Sequence, residues 1–373
     1  MADSERRPLV PNNIENLSPY VAGKTITEVE ETYDPPQISK LASNENRLGC
    51  SANVQNEVIK AMQEIQDYPD PVALHLREVL ADLNNVKPEN ILVAAGSESV
   101  IAILCRTFFL NNEKAITADA TFVGFFVQAN IRGISLKKIP VTKDYRFDLE
   151  AMAEAIDERT KMVYIANPNN PTGTYITKSE LEGFMRKVPD DVLVIMDEAY
   201  FEYAREVSDY PHSIDYGYDN VITLRTFSKA YGLAGFRIGY AIAAEELITQ
   251  MMKTKLTFEP TTPAQAAALA ALGDQRFLKK TKDVVEEGKK RLYQFFEKND
   301  VSYVPSISNS VLMILPSEKQ AKEFTQAMLE QGVILRRVNA FGLPNCVRIT
   351  IGRKKEMMHF EHSFEKVMNT QEY

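Results

Sequence analysis

The sequence predicts an α/β fold: a three-layer large domain around a mostly parallel sheet, with a smaller α+β domain toward the C-terminus. Two observations carry this expectation. Between residues 90 and 243 short apolar runs alternate with helical patterns, the arrangement that gives parallel strands joined by crossover helices. After about residue 260 the alternation stops, and a long amphipathic helix is followed by shorter strands.

Taken in order, Val54, Val58, Ile59, Met62 and Ile65 recur at helical spacing over 51–65, and a second helix is expected over 73–83. The runs 90–95, 114–117, 136–139, 162–166, 192–196, 221–226 and 237–243 read as seven short buried strands. Gly96-Ser97-Glu98 opens the helix after the first of them. Phe277 to Asn299 is a long amphipathic helix, followed by strands at 311–315, 333–336 and 346–351. The expected division is an N-terminal arm with part of the small domain (1–44), a large domain (45–260) and a small C-terminal domain (261–373), the second boundary falling within 255–275.

Composition narrows the function classes. Of 373 residues, 45% are hydrophobic and 25% charged, the mix of an ordinary globular protein with a sizeable core. A net charge of −8 argues against nucleic acid as the principal partner, since phosphate-backbone binding needs a concentrated basic surface. Cys50, Cys105 and Cys346 form no CxxC pair, so they read as scattered thiols in a reducing compartment and not as a disulfide framework or metal site. The first eleven residues lack the apolar core of a signal peptide, and no apolar run spans a bilayer. A cytoplasmic protein without membrane partners is expected.

In open α/β sheets ligands collect outside the carboxyl ends of the strands. There the sequence places Gly96-Ser97-Glu98, Asn167-Pro168-Asn169-Asn170-Pro171-Thr172-Gly173, Asp197-Glu198-Ala199-Tyr200 and Phe227-Ser228-Lys229. Singly each has an ordinary explanation: a helix cap, a turn, a solvated lysine. On successive strands they bring one carboxylate, one lysine, an amide and a phenol to a common crevice.

NPNNPTG (167–173), DEAY (197–200) and TFSKAYGLAGFRIGY (226–240) resemble the signatures of fold-type-I pyridoxal-phosphate aminotransferases. The resemblance extends over essentially the whole chain. LSPYVAGK (17–24), KLASNEN (40–46), YPDP (68–71) and CVRITIG (346–352) are similar to the histidinol-phosphate aminotransferase branch of that family.

The resemblance implies a cofactor, pyridoxal 5′-phosphate, and a role for each matching residue. Lys229 would condense with the cofactor aldehyde and later shuttle a proton. Asp197 would pair with the ring nitrogen and hold its proton there, and Asn170 and Tyr200 would hydrogen-bond the ring's phenolic oxygen. The phosphate would rest on Gly96, Ser97 and the backbone of Glu98 at a helix N-terminus, with Thr226, Ser228 and Arg237 opposite. Phe122 stands where relatives usually carry a tyrosine stacked on the ring.

On the substrate side, Arg348 matches the family's carboxylate receptor. Arg336 matches a second arginine that this branch turns toward the phosphate or side-chain anion of its substrate, and Arg337 should point the other way because side chains alternate along a strand. Tyr20 and Asn46 match substrate-contacting positions. Tyr68 matches a residue that crosses from a neighbouring subunit to the cofactor phosphate, which implies a homodimer with shared sites. Besides Phe122, a second departure is Arg47, at a position where the branch usually has proline, at the expected rim of the site.

The expected activity is amino transfer between histidinol phosphate and 2-oxoglutarate/glutamate. Aromatic amino acids are the nearest alternative donors, and decarboxylation of a phosphorylated amino acid is a more distant one. The sensor half of a transcription regulator is disfavoured because only about forty residues precede KLASNEN. A nicotinamide dehydrogenase is disfavoured because no GxGxxG follows a strand.

Overall fold

The structure, a computed structural model, describes residues 9–17 and 23–370. In chain order its strands are β1 (Ser39–Lys40), β2 (Ile91–Ala94), β3 (Lys114–Ala118), β4 (Ser135–Ile139), β5 (Thr160–Ala166), β6 (Leu193–Asp197), β7 (Val221–Thr226), β8 (Gly239–Ile242), β9 (Tyr303–Val304), β10 (Ser310–Ile314), β11 (Val333–Ile334), β12 (Arg336–Arg337) and β13 (Cys346–Thr350). Seven of them form one sheet in the order β2-β8-β7-β6-β5-β3-β4, as the apolar runs predict.

Its layering follows from side-chain alternation. On β5, Met162, Tyr164 and Ala166 enter one core and Val163 and Ile165 another; on β6, Leu193 and Ile195 face the first core and Val194 and Met196 the second. Strands apolar on both faces must be covered on both. On one side the cover is helices Ser97–Phe108, Val123–Arg132 and Glu245–Thr254, through residues such as Leu104, Phe125 and Met251. On the other it is helix Lys178–Met185, through Leu181 and Phe184, with helices Leu74–Asn84 and Thr262–Gly273 packing against β2 and β8.

All strands of this sheet run parallel except β8, which is antiparallel to both β2 and β7. That reversal places the start of β8 at the edge where β2, β5, β6 and β7 end. Arg237, two residues before β8, therefore meets Ser97, Asn170, Asp197 and Lys229 at one edge. The strand expected over 237–243 is shorter than its apolar run because Arg237 takes a left-handed conformation, φ 54°, which a strand cannot contain.

A second sheet, β12-β13-β10-β9, is antiparallel. Helices Gln275–Lys298, Glu318–Glu330 and Lys354–Thr370 cover it through Leu292, Phe296, Phe324 and Phe360. The single strand expected over 333–336 is in fact two: β11 pairs with β1, while β12 pairs with β13. Leu335, between them, carries the chain from one pairing to the other. Through the β1–β11 pair, and through Val29 packed on Ala42 and Ile334, residues 25–42 join the C-terminal part.

Gly239 shows how closely β8 must approach the loop after β2. A Cβ there would lie 2.5 Å from Ser97 N and 3.0 Å from Arg225 O, both backbone atoms that cannot swing aside. Gly239→Ala should destabilise the fold by about 1–3 kcal/mol, read as a lower melting temperature; an unchanged melting temperature would show that the loop has room to move.

Candidate active site

At the common strand edge lies a cavity of about 240 Å³. The loop after β5 gives it Pro168 and Asn170. The other two asparagines of that loop build it: Asn167 Oδ1 accepts Ile176 N–H at 2.9 Å, and Asn169 donates to Ala120 O at 2.9 Å while accepting from Thr121 Oγ1 at 2.8 Å. Asn169 thereby fixes the turn that carries Phe122, whose ring forms another wall.

Asp197, the last residue of β6, lines the cavity and is only 4% exposed. Its Oδ2 accepts the Tyr164 hydroxyl at 2.5 Å and its Oδ1 accepts Ala199 N–H at 3.2 Å. Burial pushes the carboxyl up to about 6, against these two donors and Lys229, which favour the charged form. The next residue, Glu198, grips Arg225 on β7 through Nη2 at 2.8 Å and Nε at 3.0 Å, so β6 and β7 are tied together where the site residues leave them.

Lys229 follows β7. Its stem is deep in the protein while its Nζ opens onto the cavity, 3.5 Å from Ser43 O and 5.9 Å from the centre of the Tyr200 ring. Burial pulls the amine down to about 8; Arg348 and Arg237 add to this and Glu45 and Asp197 oppose it. A lysine so placed is substantially neutral, and nucleophilic, at mildly alkaline pH.

Another part of the cavity's lining is a cradle of donors. Ser97 begins a twelve-residue helix, Ser97–Phe108, whose first N–H groups have no intrahelical partner. Gly96 enters it at φ 93°, with Arg237 Nη2 2.8 Å from where a Cβ would stand. Thr226 and Ser228 line the same end, and Arg237 Nη1 donates to Ser228 Oγ at 3.4 Å and Ala234 O at 3.1 Å. Hydroxyls, helix N–H groups and a guanidinium converging on one point suit an anion such as phosphate.

Arg348, on β13, is 5% exposed, with Nη1 donating to Asn170 Oδ1 at 2.5 Å and Nη2 to Ala42 O at 2.6 Å. Arg336 lies directly opposite it in register on β12, so both cationic side chains share one face of the sheet. Like charges in that relation are ordinarily costly, a cost that an anionic substrate would relieve. Arg337 points away and pairs with Glu318 at 3.0 Å, as strand alternation requires.

Some expected residues are elsewhere. Asn46 does not line the cavity: its amide donates to Ala230 O at 2.9 Å and Thr281 Oγ1 at 3.0 Å and accepts Leu48 N–H at 3.0 Å. Its neighbours Ser43 and Glu45 line the cavity instead. Tyr68 is 80% exposed and stacks on Phe258 at 4.2 Å, away from this chain's own cavity. Arg47 is drawn to buried Glu356 in the C-terminal helix, Nε to Oε1 at 3.1 Å, so it braces the fold. Tyr20 lies outside the described residues.

Two buried residues at the site escape sequence reasoning. Tyr164 holds Asp197; its one outward signal is a phenol in an otherwise apolar strand, a group that needs a partner when buried. Asn44 donates to the Tyr200 hydroxyl at 2.8 Å; nothing in the SNEN segment distinguishes it from Asn46.

Comparison with known proteins adds the following. Residues 36–361 match the family model "Aminotransferase class I and II". A histidinol-phosphate aminotransferase of Geobacillus sp. is 42% identical, covering 96% of this chain and 98% of that protein. Histidinol-phosphate aminotransferase 2 of Carboxydothermus hydrogenoformans is 39% identical, covering 96% and 99%. Among solved structures, the histidinol-phosphate aminotransferase of Sinorhizobium meliloti in complex with pyridoxal-5′-phosphate superimposes with a TM-score of 0.90 at 26% identity, covering 98% of this chain and 99% of that one.

The lowered affinity of Lys229 for its proton is directly measurable. In competitive acetylation of the cofactor-free protein, Lys229 should reach half its maximal reactivity near pH 8, well below exposed lysines. A midpoint at or above 10 would mean that the cavity does not desolvate it.

Proposed function

The chain belongs to the class I and II aminotransferases, and from that premise we propose that it moves an amino group between histidinol phosphate and 2-oxoglutarate/glutamate with pyridoxal phosphate as cofactor. The observation that carries this reading is near full-length similarity, at 39–42% identity, to proteins named for that reaction. The site's chemistry supports it.

The residues present fit the cofactor. Asp197 is a carboxylate kept buried at the cavity wall, a costly arrangement that a protonated ring nitrogen would offset. The left-handed Gly96 and the guanidinium of Arg237 leave a concave cradle for phosphate. Pyridoxal phosphate supplies an aldehyde that carries the amino group and a ring that takes up the electron pair left when the substrate's α-carbon loses its proton.

The chain's own residues do the rest. Lys229 Nζ, whose proton affinity burial lowers, would be the nucleophile toward the aldehyde and the base for the substrate's α-proton. Asp197 Oδ would hold the proton on the ring nitrogen. Asn170 and Tyr200 direct donors at the ring oxygen; because Asn170 Oδ1 is taken by Arg348, its NH₂ is the group it offers. Phe122, which lines the cavity, would stack on the ring without a hydroxyl. Gly96, Ser97, Glu98 through its backbone, Thr226, Ser228 and Arg237 hold the phosphate. Arg348 receives the substrate carboxylate in the keto-acid half-reaction and Arg336 the phosphate or side-chain anion. Tyr20 and Asn46 complete the substrate side of this reading, Asn46 by holding the 43–48 segment in place.

The same reading makes the protein a cytoplasmic homodimer. Tyr68, Leu74, Leu256 and Phe258 are exposed apolar side chains, a surface suited to a second copy, with Tyr68 reaching the phosphate of the neighbouring site. We divide the chain as 1–44, 45–260 and 261–373, the first and last parts joined through the β1–β11 pair. Among the described residues no helix is long and apolar enough to cross a membrane.

Lys229→Ala should abolish turnover and the borohydride-sensitive visible absorbance of the loaded protein; retention of either would sink the assignment. Arg336→Ala should lower kcat/KM for histidinol phosphate by about 10- to 100-fold, the loss of one charged hydrogen-bonding partner, and spare phenylalanine. Equal losses on both substrates would show that Arg336 is structural.

A further inference from the structure

Tyr200 has a single hydroxyl proton, and the direction of that proton is set outside the cavity. Asn44 Nδ2 donates to the Tyr200 oxygen at 2.8 Å, with both side chains buried. The orientation of the Asn44 amide is itself fixed by Thr350. The Thr350 hydroxyl accepts Asn44 N–H at 2.9 Å, so its own proton goes to Asn44 Oδ1, also at 2.9 Å. With Oδ1 committed to Thr350, Nδ2 is the end that faces Tyr200, and an amide nitrogen only donates.

Tyr200 is therefore an acceptor toward Asn44, and its proton is left for another partner. Asn309 Nδ2 donates to Asn44 O at 2.9 Å and completes the clamp. Asn44 sits in the left-handed region, φ 57°, which asparagine adopts more readily than most residues.

Resting on the reading above, in which the cofactor ring lies between Lys229 and Asp197, we propose that Asn44 is a positioning residue that aims the Tyr200 hydroxyl proton at the ring oxygen. Donation from Asn44 also polarises the Tyr200 O–H bond and strengthens it as a donor. The charged and titratable groups facing Tyr200 are Lys229, 5.9 Å from the ring centre, Arg348, Asp197, Tyr164 and Tyr203. Among the described residues, Asn44 is the group that hydrogen-bonds its oxygen. Since the clamp is built from β13 and Asn309, the C-terminal sheet holds a proton that acts on the cofactor.

The test is a double-mutant cycle read from the pH midpoint of the visible absorbance of the loaded protein, not from turnover. A donor on the ring oxygen stabilises its anionic form and keeps the midpoint low. Asn44→Asp places an acceptor where Nδ2 was, so it should draw the Tyr200 proton away and raise the midpoint. The added charge raises the midpoint in any background, so the rise should be larger with Tyr200 present than in Tyr200→Phe. The expected difference is about 0.5 to 1 pH unit, a three- to tenfold change in proton affinity, as for one hydrogen bond. Asn44→Ala, which adds no charge and serves if the aspartate variant folds poorly, should raise the midpoint only when Tyr200 is present. Equal shifts in the two backgrounds would overturn the role of Asn44 and leave the cofactor reading standing. A wild-type band that borohydride fails to discharge would refute that reading, and this proposal with it.

Discussion

The site depends on one costly feature, a carboxylate kept out of water at the end of a central strand. Burial raises the Asp197 carboxyl from its ordinary 3.8 to about 6. At about 1.4 kcal/mol per pH unit, holding it ionised at neutral pH costs on the order of 3 kcal/mol. That cost is absent below about pH 4 and complete above about pH 6, so in the cofactor-free protein this group works against stability as pH rises. The surrounding structure limits the penalty with the Tyr164 hydroxyl, the Ala199 N–H and the positive field of Lys229. A cation placed against Asp197 would remove most of it. The fold thus stores, in one side chain, a preference for a neighbouring cation.

The rest of the site is positioned by topology. Five parallel strands, β3 to β7, and a parallel β2 deliver their ends to one edge, and the reversed β8 brings Arg237 to that edge from the opposite direction. The C-terminal sheet then reaches in at two points, Arg348 to Asn170 and Thr350 to Asn44. Lys229 and Asp197 come from the large sheet, while Arg348 and Thr350, which hold Asn170 and Asn44, come from the small one. Motion of the second sheet against the first would therefore be felt as a change in hydrogen bonding at Asn170 and Tyr200.

Much of this was legible in the sequence, for identifiable reasons. Alternation of apolar runs with helical patterns is a local signal, and it located all seven strands of the large sheet. Strand ends are where ligands collect, and that rule alone brings Asp197, Asn170, Ser97 and Lys229 together. What was not legible works through distant partners. Tyr164 acts on a residue 33 positions away and Asn44 on one 156 positions away, separations that no periodicity encodes. In the 43–47 segment the resemblance pointed to Asn46 as a cavity contact and to Arg47 as a rim residue. The structure turns Asn46 toward Ala230 and Thr281 and Arg47 toward Glu356, and gives the cavity Ser43 and Glu45. The break at Leu335 was hidden because both of its flanking strands are apolar or basic in one continuous run.

Lys229 and Asp197 line one cavity, and the function proposed for it is amino transfer from histidinol phosphate. The most direct measurement is a single half-reaction in the absence of any keto acid. Loaded protein is mixed separately with histidinol phosphate, phenylalanine, tyrosine and aspartate, and loss of the visible absorbance is followed in time. The account predicts fastest loss with histidinol phosphate. Faster loss with an aromatic amino acid, or none with any donor, would contradict it.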